Sequence, residues 1–371
     1  MRVGLMVRHL EEQGGIAVYT HELLSHLFEL DRENEYIAFY GDSRSLGRFS
    51  AIPNVQEVLI PCRSKFLWDQ IQVPREARRR KIEIIFGPKM SIPLFSPGRK
   101  VITVHGAEQL VFPKEFSLLD RFYVKIFLGL YARAADRILT VSGTARDDLA
   151  AALGISRDKF KVVYHGAKDV FFGNVSASRI QSVRAQYGLT GTFVLHVGLL
   201  WGAKNFSVLP KVLELLNQRG DFVLAHAGKA HRWDKRQNTD WTSPYLRELG
   251  FVPDEDLAAL YQGALALVFP SLYEGFGIPL IEAMASGCPV VTTNWGAMKE
   301  VTGSAAIQVD PRRPDEIASA VLKIAEDSEY RERLRAAGRE RVEKFRWSAT
   351  ARHTLDAFQE LGTTPSDSRL N

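Results

Sequence analysis

Short apolar runs recur along the chain and alternate with longer stretches that have a helical period. The runs are rich in Val, Ile and Leu and nearly continuous, which is typical of parallel strands covered on both faces. We predict strands at RVGLMV, EYIAFY, VQEVLI, IEIIF, KVITVH, RILTVS, FKVVYH, TFVLHVG, DFVLAHAG, RELGFV, ALALVFP, CPVVTT and AAIQVD.

Helical patterns separate these runs, for example GIAVYTHELLSHLFEL near the start of the chain. The alternation of strand and helix occurs twice, so we predict two doubly wound α/β domains. A cluster of Gly, Ser and Asn places their boundary between residues 1–172 and 173–346. A last helix at about 347–362 has no strand after it, and GTTPSDSRLN is predicted to be a frayed tail.

The overall composition is that of an ordinary globular protein. The chain has 371 residues, of which 46% are hydrophobic and 25% charged. Cys62 and Cys288 lie far apart, so no disulfide framework is predicted. The start of the chain lacks the apolar core of a signal peptide, and no apolar stretch approaches about 18 residues. We therefore expect a cytoplasmic protein.

The net charge of +5 is unevenly distributed. Residues 1–170 carry 25 Lys and Arg against 20 Asp and Glu, whereas the remainder carries 23 of each. The surplus is either a solvated surface or the mark of an acidic partner, such as a phosphorylated acceptor. The run PREARRRK holds Arg75, Arg78, Arg79, Arg80 and Lys81. It is either a solvated helix face or a docking site for an anionic lipid-linked acceptor or the inner face of the membrane.

The stretch YEGFGIPLIEAMASGCPVVTT concentrates candidate chemistry between a strand and a helix. Gly275 and Gly277 allow the backbone to approach a ligand closely. Pro279 is favoured at the first position of a helix, and a helix start offers free N–H groups to a phosphate. Glu274 precedes the glycines, where a carboxylate can accept hydrogen bonds from sugar hydroxyls. Glu282 falls in the predicted first turn, where it either binds a ligand or complements the helix dipole.

A dinucleotide site also consists of a strand, a Gly-rich turn and a helix. Its fingerprint requires a third glycine where Leu280 stands, and an acidic residue about 20 positions further on. The next strand ends instead in TTNW, so the match to a dehydrogenase is partial.

FPSLYEGFGIPLIEAMASGCPVVTTN resembles the E-x7-E signature of retaining glycosyltransferases of family 4, which have the GT-B fold. HVGLLWGAKN, VITVHG and MRVGLMVRHLEEQGGIAVYTHELL resemble further segments of that family, so the likeness covers nearly the whole chain. It implies two Rossmann-like domains that face each other across a cleft. The first would bind the acceptor, the second would bind a nucleotide sugar, and the last helix would cross back onto the first.

The resemblance also implies roles for individual residues. Glu274 would contact hydroxyls of the donor sugar, Lys204 would neutralise the diphosphate, and His105 would meet the sugar and shape the transition state. Glu282 would hold the ribose hydroxyls. The backbone of Gly14, Gly15, Gly275, Phe276, Gly277, Ile278 and Leu280 would line the sugar and the phosphates.

The sequence departs from the family at three positions near these residues. Leu199 stands where many relatives have Arg, Ala203 replaces a basic residue, and Gly106 replaces a frequent Asp. Arg232 or Lys235 would compensate for the missing cations. We predict that His165 and His196, in contrast, serve packing or local hydrogen bonds.

The implied activity is that of a hexosyltransferase acting with retention. It would transfer a hexose from a nucleotide diphosphate sugar, GDP-mannose or a UDP-sugar, to a hydroxyl of a glycan or lipid-linked acceptor. No cofactor, metal or nucleic acid is expected; Asp254, Glu255 and Asp256 are predicted to cap a helix. The alternatives are a GT-B-like nucleotide-sugar epimerase or phosphorylase, or an inactive module that binds sugar nucleotides.

Overall fold

The computed structural model describes residues 1–10, 14–112, 116, 118–199, 202–228 and 243–362. The chain divides into two compact units. The first comprises Met1–His165 and Trp347–Asn371, and the second comprises Gly166–Arg346.

The first unit is built on a seven-stranded parallel sheet with the order β3-β2-β1-β4-β5-β6-β7. Because the chain reverses its direction of growth after β3, the carboxyl ends of β1 and β4 form a switch point, where ligands bind in open α/β sheets. The strands are β1 Arg2–Met6, β2 Glu35–Tyr40, β3 Val55–Leu59, β4 Ile84–Gly87, β5 Arg99–Val104, β6 Arg137–Thr140 and β7 Phe160–Val162.

In the described part of the first unit, six α-helices connect the strands. They are α1 Gly15–Leu30, α2 Lys65–Leu67, α3 Val73–Arg79, α4 Glu108–Val111, α5 Leu118–Ala134 and α6 Gly143–Leu153. A π-helical turn, Trp68–Gln72, joins α2 to α3. The helix α6 shows why such segments are helical: the Oγ of Ser142 accepts from the N–H of Ala145 at 2.9 Å, and Gly154 ends the helix in the left-handed conformation.

The second unit repeats the design with a six-stranded parallel sheet of order β10-β9-β8-β11-β12-β13. Its switch point lies between β8 and β11. The strands are β8 Thr192–Val197, β9 Phe222–Ala227, β10 Leu246–Gly250, β11 Leu267–Phe269, β12 Val290–Thr293 and β13 Ile307–Val309. The helices are α7 Ala177–Gln186, α8 Leu209–Asn217, α9 Asp254–Gly263, α10 Ile278–Ala285, α11 Gly296–Thr302, α12 Pro314–Glu326 and α13 Ser328–Val342.

The last helix, α14 Trp347–Gly362, returns to the first unit. Trp347, Leu355 and Phe358 share a buried apolar cluster with Leu23 and Leu27 of α1. The return of the last helix was predicted and is confirmed. Burial of its apolar face against α1 explains it.

The α/β prediction is also confirmed, because each of the thirteen predicted runs contains a strand. The boundary between the units differs from the predicted position after residue 172. Ala167 donates its N–H to the carbonyl of Phe345 at 3.0 Å, and Phe171 is buried against Tyr261 with ring centroids 5.9 Å apart. These contacts hold residues 166–172 in the second unit. The predicted frayed tail lies outside the described residues.

Candidate active site

The carboxyl edge of the second sheet brings together the loops that follow β8 and β11. These two strands are neighbours at the switch point, although 70 positions separate the residues Lys204 and Glu274 in their loops. Ligands of doubly wound folds bind at this place. The predicted diphosphate and sugar contacts therefore share one edge.

Lys204 and Glu274 form a direct ion pair. The Lys204 Nζ lies 2.6 Å from the Glu274 Oε1, and the two side chains are only 14% and 13% exposed. The ammonium also lies 5.1 Å from the centre of the Phe269 ring at the end of β11. The family resemblance implies that the two residues bind different parts of the donor; the structure places them in contact.

Asn205 fixes the loop that carries Lys204. Its φ of 55° is in the left-handed region, which Asn tolerates better than most residues. Its Nδ2 donates to the carbonyl oxygens of Pro270 at 3.2 Å and Pro311 at 2.7 Å, so it bridges the loops after β11 and β13. The N–H of Leu272 adds a 2.7 Å bond to the Ala203 carbonyl. Asn205 was not among the predicted site residues. The available signal was the residue type, since an Asn in a loop adopts the left-handed conformation more readily than most residues.

Two glycines let the ends of β8 and β9 approach each other. Gly198 has a φ of 140° and Gly228 a φ of 152°. A Cβ on Gly228 would lie 1.9 Å from the Gly198 carbonyl oxygen, so no other residue fits there. Leu199 follows and is 49% exposed.

The turn before α10 depends on Gly277. Its φ is 95°, and a Cβ there would lie 2.8 Å from the Leu280 Cδ1. The helix begins at Ile278, so Pro279 occupies the second position rather than the predicted first. The N–H of Leu280, expected to face the diphosphate, donates to the Gly277 carbonyl at 3.0 Å, because a tight first turn satisfies it.

The side chain of Phe276 does not face the loop opening. It is buried and meets the Phe345 ring edge-on with centroids 5.6 Å apart. Phe276 thereby anchors the loop between Gly275 and Gly277.

Glu282 lies in the second turn of α10, since the first turn contains no acidic residue. The expected interaction with the helix dipole therefore lacks its geometry. The Tyr261 hydroxyl donates to the Glu282 Oε2 at 3.1 Å. The pKa of Glu282 is raised to about 7, chiefly by burial and in part by the charge of Asp254, whereas Tyr261 and Lys168 oppose the rise. Tyr261 was missed because only the packing of α9 beside α10 places it there.

His105 follows β5 in the first unit and is held there by both ring nitrogens. Its Nε2 donates to the Pro88 carbonyl at 2.8 Å, and its Nδ1 lies 3.5 Å from the Nε2 of His165. The ring of Tyr19 meets it edge-on, with centroids 4.5 Å apart. Burial lowers the pKa of His105 to about 4, so the ring is neutral at pH 7.

The remaining residues singled out from the sequence are two glycines at the start of α1, His196 and two possible compensating cations. Gly14, with a φ of 139°, precedes α1, and Gly15 is its first residue; within the described part of the chain, no heavy atom lies within 4 Å of a Cβ built on either. His196 is fully buried, with its Nδ1 3.0 Å from that of His226, and it serves packing as predicted. Arg232 and Lys235 lie outside the described residues.

Comparison with known proteins places these loops in a family context. The family model "Glycosyltransferase Family 4" matches residues 13–169, and the model "Glycosyl transferases group 1" matches residues 180–341. The O-antigen chain mannosyltransferase B of Escherichia coli is 29% identical over 294 residues, which are 76% of each chain. The serotype-specific mannosyltransferase WbdA of Escherichia coli is 28% identical over 284 residues, 73% of this chain and 35% of WbdA. The chain thus spans about a third of WbdA's length.

The fold is also that of solved glycosyltransferases. Alr3699/HepE of Anabaena, solved in complex with UDP-glucose, superposes with a TM-score of 0.76 at 17% identity, over 97% of this chain and 100% of that one. This likeness confirms the GT-B prediction. Since the two family models follow each other along most of the sequence, the chain belongs to the glycosyltransferases, with a family 4 domain followed by a group 1 domain.

Proposed function

We propose that this glycosyltransferase moves a mannosyl residue from a nucleotide diphosphate sugar to a hydroxyl of a glycan or lipid-linked acceptor, with retention at the anomeric carbon. The observation that carries the proposal is the Lys204–Glu274 pair at the switch point of the second unit. The names of the two Escherichia coli relatives favour mannose among the hexoses. GDP-mannose is the first donor to test, and UDP-sugars are the second.

In this proposal the two charged side chains bind different parts of the donor. The ammonium of Lys204 faces the diphosphate, where negative charge grows as the glycosidic bond breaks. Glu274 accepts hydrogen bonds from hydroxyls of the sugar and keeps the ammonium in place. The start of α10 supplies N–H groups from Gly277 and Ile278, and the protein acts by positioning and by stabilising the leaving diphosphate.

Glu282 is proposed to bind the ribose hydroxyls of the nucleotide. We expect Glu282→Ala to weaken binding of the free nucleoside diphosphate by roughly 1–3 kcal/mol, as for a hydrogen bond to a charged group. Calorimetry measures this loss. An unchanged affinity would return Glu282 to a purely structural role beside Tyr261.

We propose that His105 meets the donor sugar as a neutral ring. Because its Nε2 donates to Pro88, the ring is fixed in orientation and cannot exchange that proton freely. Its contribution would be hydrogen bonding and shape rather than charge.

We propose a metal-independent reaction, because Lys204 and the start of α10 supply positive charge. The Asp-x-Asp sequence that would suggest a metal lies in the first turn of α9, where Asp254 pairs with Lys168 at 2.6 Å and Asp256 with Arg179. Activity that EDTA abolishes and Mg²⁺ or Mn²⁺ restores would contradict this.

The first unit is proposed to dock on the inner face of the membrane. Among the described residues, no helix is both long and apolar enough to cross a bilayer. However, Phe66 is 59% exposed, Leu67 44% and Phe95 87%. Gln70 joins their segments by accepting from the N–H of Leu94 at 2.9 Å. Exposed apolar side chains on two joined segments, one of which also carries Lys65, suit an anionic interface.

The test of the central proposal is a transfer assay. The enzyme is incubated with GDP-mannose or a UDP-sugar, with and without a mannan oligosaccharide or a lipid-linked glycan, and product stereochemistry is read by NMR. Transfer that requires acceptor and gives the retained anomer supports the proposal. Donor conversion that needs no acceptor would indicate an epimerase, and no conversion of any donor would indicate an inactive binding module.

A further inference from the structure

A cavity of about 500 Å³ opens at the carboxyl edge of the first sheet, and its lining includes neither His105 nor the glycines at the start of α1. It lies over β3, β2, β1 and β4, because its lining comes from the loops that follow these four strands. The lining includes Arg8, Asp42, Arg44, Lys65, Asp69 and Lys89. Its volume is in the range of small-molecule sites, and its place is the switch point of this sheet.

Four of these side chains are basic, namely Arg8, Arg44, Lys65 and Lys89. Arg44 is paired with Asp42 at 2.7 Å. Among the described residues, no carboxylate lies within ion-pair distance of Arg8 or Lys65. The positive charge of the cavity thus exceeds the neighbouring negative charge, which suits an anion.

The Arg8 side chain is held against the end of β2. A Cβ on Gly41 would lie 2.6 Å from the Arg8 Cγ, so the glycine makes room for the arginine. Arg8 is half-buried, so packing against Gly41 restricts the orientation of its side chain. Preorganised guanidinium groups bind phosphate well because less entropy is lost.

Asp69 lines the cavity and is only 3% exposed. Burial raises its pKa, although Lys65, a hydrogen bond with Ser91, Arg8 and Lys89 oppose the rise. Arg8, Lys65 and Lys89 line the same cavity as this buried carboxyl group. Asp69 and the buried Trp68 belong to the π-helical turn Trp68–Gln72, a rare geometry that is frequent at functional sites.

We propose that this cavity binds a sugar phosphate, with Arg8, Lys65 and Lys89 on the phosphate and Asp69 on a hydroxyl of the sugar. Cations alone would suit a bare anion, whereas a buried carboxyl group among them suits a ligand that also carries hydroxyls. The inference rests on the proposed function, in which this ligand is the phosphate-bearing part of the acceptor. It adds a substrate class, since the acceptor would be recognised by its phosphate.

The first test measures binding of mannose 1-phosphate by calorimetry at low salt. It uses the full-length Lys204→Ala protein, so that the cation of the second unit cannot account for phosphate binding. We expect Arg8→Gln and Lys65→Gln each to weaken binding at least about tenfold, as for a lost charge-assisted hydrogen bond. Arg32→Gln is the matched control, since Arg32 precedes β2 at the opposite edge of the sheet.

Uncharged methyl mannoside provides the second control. It should bind at least about tenfold more weakly than mannose 1-phosphate, because it lacks the charged group. Mannose 1-phosphate that binds no more tightly than methyl mannoside would overturn the inference. So would an equal loss in Arg32→Gln, or unchanged binding in folded Arg8→Gln and Lys65→Gln.

Asp69→Asn separates a sugar phosphate from a bare anion. If Asp69 binds a hydroxyl, the variant binds mannose 1-phosphate more weakly but inorganic phosphate as well as before or better, because a negative charge is removed. Equal weakening of both ligands, in a protein with an unchanged melting temperature, would overturn the assignment of Asp69. Gly41→Ala should weaken both ligands by displacing Arg8, and it retains every charge.

The phosphate can belong to a lipid-linked sugar or to a free sugar phosphate. Octyl mannosyl phosphate, a diester, distinguishes the two sources. Binding about tenfold tighter than that of mannose 1-phosphate favours the lipid-linked acceptor, and binding that is equal or weaker favours the free sugar phosphate. Either result supports a phosphate site; loss of binding to both compounds contradicts it. Failure of donor turnover would instead contradict the proposed function, because it tests the second unit.

Discussion

The Nζ of Lys204 and the Oε1 of Glu274 lie 2.6 Å apart in loops that follow two different strands. The pair is mostly withdrawn from solvent, so each charge depends on the other for its stability. A ligand that approaches this edge meets the ammonium and the carboxylate as one preorganised unit.

We predict that Lys204→Ala lowers kcat/KM at least about 10²-fold while the protein remains folded, because one preorganised stabiliser of developing charge is lost. Steady-state transfer assays and thermal melting measure the two effects. Lys211→Ala is the matched control, since Lys211 forms an exposed pair with Glu214 at 2.6 Å. A loss smaller than about threefold would remove Lys204 from the site.

The double variant Lys204→Ala/Glu274→Gln separates catalysis from structure. Without a buried unpaired carboxylate it should melt at a higher temperature than Lys204→Ala, yet its activity should stay low. Recovery of activity together with stability would mean that the pair is only structural.

Leu199→Arg is predicted to restore part of the activity of Lys204→Ala. Leu199 is half exposed in the same loop and occupies the position where the family resemblance expects an arginine. A second cation there would face the same diphosphate. Leu199→Gln, of similar polarity but without charge, should restore nothing, and equal effects of the two substitutions would contradict the prediction.

Asn205 is predicted to be a positioning residue for Lys204. Asn205→Ala loses both hydrogen bonds and is strained at a φ of 55°, whereas Asn205→Gly loses only the bonds. We therefore expect the melting temperature and kcat to fall in both variants, and further in Asn205→Ala; the additional backbone strain costs of order 1 kcal/mol. Unchanged kcat in both variants would show that the loop does not need this anchor.

Glu282 is predicted to make stability depend on pH. Its pKa of about 7 in the folded protein lies above the ordinary value of 4.5. The folded state thus holds its proton more tightly, and the stabilisation present below pH 4.5 is lost as pH rises through 7. Relative to Glu282→Gln, the wild type should lose at most about 3 kcal/mol of unfolding free energy between pH 4.5 and 8. Parallel profiles of unfolding free energy against pH for the two proteins would contradict the shift.

Basic side chains of α3 are predicted to support membrane docking, but not all equally. Arg79 and Arg80 pair with Glu76 at 2.8 and 3.1 Å. The exposed Arg75 and Arg78 are therefore better placed to contact an anionic surface. Arg75→Glu/Arg78→Glu should weaken sedimentation with phosphatidylglycerol vesicles at least about tenfold, at about 1 kcal/mol per basic residue near an anionic surface. The control Arg32→Glu/Arg219→Glu should bind as the wild type does. Equal binding of all three proteins would leave the run as a solvated face.

The sequence by itself determined the elements and the family. Thirteen apolar runs became strands, because a strand covered on both faces must be apolar along its length, and this requirement is local. The start of α10 was predicted within one residue, since Gly277 permits a left-handed turn and Pro279 is favoured in the first turn of a helix, and both are local properties. The motif around Glu274 and Glu282 identified the chemistry because its residues are neighbours in the chain.

Only the tertiary structure decided which of these residues act together. Lys204 meets Glu274 because β8 and β11 are neighbours in the sheet, and strand order is not encoded in local periodicity. The hydrogen bond from Tyr261 to Glu282 and the raised pKa of Glu282 both result from the packing of α9 on α10. Desolvation depends on all the groups that surround a carboxylate. The cavity beside Arg8 and Asp69 likewise draws on four loops that are distant in sequence. Short-range pattern specifies the backbone, whereas charge pairing and burial exist only when the sheet has formed.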